Sequence, residues 1–118
     1  MGQTVSSDES RAIHLTNSIY VEVDRKRGDV QARCQSEPQP TQDDLLNQYN
    51  QADTDAYDHF DTTSRTVAGK PADKVANLVA VATTALTNIT AALNDLSDIQ
   101  RSLDTVTAEN DNVSNAIP

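Results

Sequence analysis

Five ionisable side chains crowd one short stretch: Asp53, Asp55, Asp58, His59 and Asp61. Alternating carboxylates are what a calcium loop uses, because hard cations take oxygen ligands. The stretch departs from that pattern. The next liganding position is neither acid nor amide, no Gly makes the sharp turn and no Glu closes the loop. If the stretch is helical, Asp55, Asp58 and His59 share a face and outline a low-affinity metal site. The simpler reading is a solvated acidic face, and no metal or cofactor is expected.

Other reactive types are scattered. His14 sits alone in a run of alternating residues. Cys34 is the single cysteine, so no internal disulfide can form and a buried thiol is its default role. Arg27-Gly28-Asp29 is an integrin tripeptide, but it suits a tight turn for conformational reasons alone. Met1-Gly2-Gln3-Thr4-Val5-Ser6 fits the myristoylation pattern of eukaryotic proteins. Asn88-Ile89-Thr90 and Asn112-Val113-Ser114 are glycosylation sequons. Ile89 belongs to a seam described below, which disfavours Asn88 as an acceptor. With Gly only at 2, 28 and 69, a phosphate-cradling loop has no material. No nucleophile elbow, zinc spacing or acid–base pair stands out, so the expectation is a protein that is not an enzyme.

The elements that carry these residues come from periodicity. Val75, Val79, Ala82, Leu86, Ile89, Leu93, Leu96, Gln100 and Leu103 alternate steps of four and three, the spacing of a coiled-coil seam. The flanking row Leu78, Ala85, Ala92, Ile99 and Val106 is apolar as well, and the other flank is small and mostly uncharged. Two-stranded coils place Glu and Lys there. A face this wide needs two or more neighbours. The expected oligomer interface is therefore Val75, Leu78, Val79, Ala82, Leu86, Ile89, Leu93, Leu96, Ile99, Gln100, Leu103 and Val106, in a trimer or higher homo-oligomer. Gln100 is the polar interruption that would set register.

Upstream, residues 41–66 form a first helix with Thr41 as N-cap. Its apolar face is Leu45, Tyr49, Ala52, Ala56, Phe60 and Thr63. Ala68-Gly69-Lys70-Pro71 ends it and turns the chain into a helical hairpin, with a kinked continuous rod as the alternative. The second helix runs without interruption to about residue 110.

Residues 11–36 alternate instead. Ile19, Val21 and Val23, then Val30, Ala32 and Cys34, point one way while polar neighbours point the other. Period two predicts a β-hairpin turning at Gly28. The fold class expected is thus α+β, mainly α: an N-terminal β-hairpin module, then a helical hairpin with a long coiled-coil-like helix. The parts are a flexible arm at 1–10, the hairpin at 11–36, a Pro-containing linker at 37–40, the helical part at 41–110 and a polar tail at 111–118.

Composition limits the function. Hydrophobic residues make up 36 % of 118 residues, below the usual ~45–50 %. The net charge of −9 repels phosphate backbones, which argues against nucleic acid. Abundant Asp and only three Lys suit a high-salt habitat; an acidic mesophile is the other reading. The start lacks the apolar core of a secretory signal. Residues 75–94 carry no charge over about a bilayer's length, yet their Asn and Thr favour water. The function expected is a structural subunit that oligomerises and joins other protein subunits, such as a small virion protein of capsid, tail or spike. An adaptor or chaperone with a helix-binding face is the alternative, and a membrane-active oligomer a further one. The place expected is a virion or other extracellular assembly, otherwise the cytoplasm.

Overall fold

The buried residues from Ala12 to Cys34 fall at steps of three, four and once seven, and that stretch is helix, not hairpin. The computed structural model describes residues 7–117. It contains four helices: α1 Ser7–Cys34, α2 Gln39–Thr66, α3 Ala72–Asn94 and α4 Ile99–Ala116. No strand occurs among the described residues, which overturns the α+β expectation. The protein is a four-helix bundle.

The reason lies in α1. Ala12, Thr16, Ile19, Val23, Val30 and Cys34 are the buried positions, a spacing close to 3.5 that persists over the whole helix. Period two held only within short windows, where β-branched residues stand on outer positions: Val21 is 50 % exposed. Thr16 hides the true period because it is polar. Its hydroxyl donates to the carbonyl of Ala12 at 2.9 Å, so it can be buried. Gly28 lies within the helix rather than at a hairpin tip.

α2 starts two residues before Thr41, with Pro38 at the N-cap in extended geometry (φ −58°, ψ 148°) and Pro40 in the first turn. The prolines of the expected linker thus begin the helix. Leu45, Tyr49, Ala52, Ala56 and Thr63 are buried, as expected, and Phe60 is partly so. Gly69, at φ +82°, reverses the chain after α2, a backbone conformation that costs Gly little.

The expected continuous helix is broken. Asp95 leaves the helical backbone region (φ −106°, ψ 84°), Asp98 is extended (φ −123°, ψ 93°) and the chain folds back. Asp95 Oδ1 accepts from the backbone N (3.3 Å) and Oγ (2.7 Å) of Ser97. Asp98 caps α4 by accepting from the backbone N of Arg101 at 3.0 Å. Ser102 Oγ lies 2.9 Å from the carbonyl of Ala92 and 3.1 Å from those of Asp95 and Asp98. Arg33 reaches over from α1 and donates to the carbonyl of Leu96 at 3.0 Å. α4 then continues through the expected tail, with Val113 fully buried.

The helices alternate in direction, but α2 and α3 do not touch. α1 packs beside α2 and α3, and α4 beside α3 and α2. Two of the neighbouring pairs, α1 with α3 and α2 with α4, are therefore parallel. The body measures 58 × 21 × 19 Å, a cross-section of two helices by two at ~10 Å each.

Candidate functional site

The acidic cluster on α2 is divided by the helix. Asp53 turns toward α1, where Oδ2 accepts from Arg27 Nη1 at 2.6 Å. Arg27 also pairs with Asp24 at 3.0 Å. Burial raises the Asp53 carboxyl above its ordinary range, against the opposing pull of Arg27. Asp61 pairs with Arg65 at 3.1 Å on the surface. His59 instead feels the charge of α4, with Asp111 acting on it electrostatically alongside Asp55 and Asp58 of its own helix. Its Nδ1 is buried without a hydrogen-bond partner, and burial holds it below its ordinary pKa despite those carboxylates. Among the described residues no group of three His, Cys, Asp or Glu is placed to hold a metal ion.

The residues expected to form an oligomer interface sit mostly in this chain's own core. Val75, Leu78, Val79, Ala82, Ile89, Leu93, Leu96, Leu103 and Val106 are buried; Leu86 and Ile99 pack partly against that core. Their neighbours are α1 and α4, together with α2 for the α4 residues. The wide face does have more than one neighbour, and within one chain they are its own helices. Gln100 is exposed and exchanges a hydrogen bond with Gln48 of α2 (Nε2 to Oε1, 2.9 Å). Cys34 is buried at the end of α1, and that burial raises its thiol pKa. The myristoylation pattern lies outside the described residues.

Sequence reasoning missed the polar core. Asn110 is fully buried and donates from Nδ2 to the carbonyl of Ala52 at 2.9 Å, across the α2–α4 seam. Tyr49 was expected on the buried face, and what the spacing did not give is its hydroxyl donating to the carbonyl of Val23 at 2.8 Å. The signal for Asn110 was available: Leu103, Val106, Asn110 and Val113 keep helical phase.

Charge is partitioned by face. α1 carries five acids and five bases, and α3 one of each. α2 carries six Asp against Arg65, net −5, and α4 two Asp and Glu109 against Arg101, net −2. Asp95 and Asp98 add two more at the turn. Because α2 and α4 are neighbours, most of the −9 lies on one side. The groove between them, about 430 Å³, is lined by Gln48, Gln51, Asp104, Thr107, Ala108 and Asp111. On the other side, α3 exposes Asn77, Ala80, Thr84, Thr87 and Ala91, with no charged side chain between Lys74 and Asp95. α3 is long and apolar enough to cross a membrane by length and composition alone, with 33 % of its apolar window buried in the bundle.

No family model matches the chain, and no curated protein or solved structure is detectably similar to it.

Proposed function

We propose that this chain is a non-enzymatic structural subunit that assembles with copies of itself and with other proteins. The observation that carries this reading is the exposed row of α3 from Asn77 to Ala91, which bears no charge of its own in a chain of net charge −9. A partner covering Ala80, Thr84, Thr87 and Ala91 desolvates no charge of α3 itself and meets Glu109 of α4 only at the groove beside Ala80 and Thr84, whereas the α2–α4 side would have to be stripped of many hydrated carboxylates. The small size and scarcity of chemistry extend the reading to accessory components of particles, such as capsid or tail proteins of a virion.

Light scattering over a concentration series tests it. The expected result is a mass above that of one chain, lowered by Thr84→Glu without loss of helicity. A well-formed helical monomer at all concentrations and salts would sink self-assembly. Co-sedimentation with liposomes, blocked by the same variant, would replace it with the membrane-active reading.

A further inference from the structure

The turn between α3 and α4 reverses the chain without resetting its phase. The buried or partly buried positions run Ile89, Leu93, Leu96, Ile99, Leu103, Val106, Asn110 and Val113. Those steps of three and four pass through the turn as though the helix continued. An apolar stripe laid out in this way is as well formed on one straight helix as on two antiparallel ones. The turn itself is held by polar groups: the Asp95–Ser97 bonds, the Asp98 cap and its ion pair with Arg101, the Ser102 hydroxyl and the Arg33–Leu96 bond.

The seam of α4 with α2 also carries like charge. No Lys or Arg stands on α2 from Gln39 to Ser64, or on α4 from Ser102 to Ala116. Asp55 and Asp58 of α2 and Asp111 of α4 all act electrostatically on His59. Like charges across a seam oppose its closing. Two polar atoms are buried there without partners, Asn110 Oδ1 and His59 Nδ1, and each such atom opposes burial.

We propose that α4 exchanges between two copies of this chain. The turn at 95–98 straightens, α3 and α4 become one helix of about 68 Å, and α4 of each copy fills the α4 position in the other's bundle. The same core contacts form in both states, so the equilibrium is set by the turn and by concentration. The inference rests on the reading that the chain self-associates, and it names a different surface from the outer face of α3.

The experiment is refolding from denaturant at high and low protein concentration, followed by size-exclusion chromatography with light scattering. Wild type is expected to give a dimer that dissociates slowly on dilution. Ile99→Pro blocks a continuous helix, because proline would clash with the carbonyl of residue 95. It is compatible with the folded-back form, where position 99 opens α4 and Asp98 before it is already extended (φ −123°, ψ 93°). This variant should keep its helicity and stay monomeric in that refolding. The triple variant Asp95→Ala, Ser97→Ala, Asp98→Ala removes the turn and cap and should raise the dimer fraction several-fold. Thr84→Glu should leave the slow dimer intact, which separates exchange from association through α3. The proposal is overturned if no slowly dissociating dimer forms, or if Ile99→Pro forms it as wild type does. Should Ile99→Pro lose its helicity, the triple variant decides, and a dimer fraction no higher than wild type overturns it.

Discussion

Asn110 of α4 donates its amide to the carbonyl of Ala52 on α2 at 2.9 Å, and its own Oδ1 has no partner in the protein. A buried side chain that is half satisfied is a poor source of stability but a good source of register. Asn110→Leu keeps the branched shape and removes the orphaned acceptor. The carbonyl of Ala52 lies within α2, so the loss of one donor is small. Thermal unfolding should show stability unchanged or raised by about 1 kcal/mol. A loss of more than ~2 kcal/mol, within the range for a severed buried bond, would mean that the Ala52 contact holds the seam closed.

His59 makes the bundle sensitive to mild acid. Burial lowers its pKa in the folded chain, whereas the unfolded chain takes up a proton near the ordinary 6.5. The unfolded state therefore binds more protons as pH falls. The stability His59 contributes is fully present above 6.5 and is lost as pH falls through 6.5 toward its lowered folded value. Denaturant midpoints between pH 7 and 5 should fall for wild type and fall less for His59→Gln. Equal slopes would assign the acid sensitivity to other groups. Asp53, whose carboxyl is raised by burial, acts in the opposite sense and at lower pH, where protonating it favours the folded chain.

Salt should stabilise this fold. The net −7 shared by α2 and α4 is concentrated on neighbouring helices. The Debye length shortens from about 10 Å at 0.1 M to about 3 Å at 1 M, which screens repulsion across the seam. The melting temperature is expected to rise over that range, and Asp111→Asn should reproduce part of the rise at low salt. A melting temperature independent of salt would show that the carboxylates are far enough apart to ignore one another, and would also remove the high-salt habitat as an explanation of the composition.

The seam was legible because burial and helical phase coincide on α3. Val75, Leu78, Val79, Ala82, Ile89 and Leu93 are apolar in the sequence and buried in the fold. Two features defeated the pattern. In α1, Thr16 occupies a core position and Val21 an exposed one, so β-branched residues created a local period of two. At Asp95–Asp98 the phase is preserved through a reversal, so periodicity alone could not locate the break. The local signs were an Asp and a Ser able to close a side-chain turn and an Asp able to cap a helix. Which helices fill the wide face is a matter of chain reversal, which spacing does not encode.

Gly28 offers the plainest test that α1 is helical. It lies inside the helix, at the surface, and a Cβ added there meets nothing within 4 Å. Gly within a helix costs about 0.5–1 kcal/mol relative to Ala, because the unfolded chain loses more freedom at that residue. Gly28→Ala should therefore stabilise the protein by roughly that amount, read as a shift in denaturant midpoint at unchanged slope. If Gly28 instead held the tip of a hairpin with positive φ, alanine would be strained there and stability would fall. The sign of the shift alone decides between the two backbones.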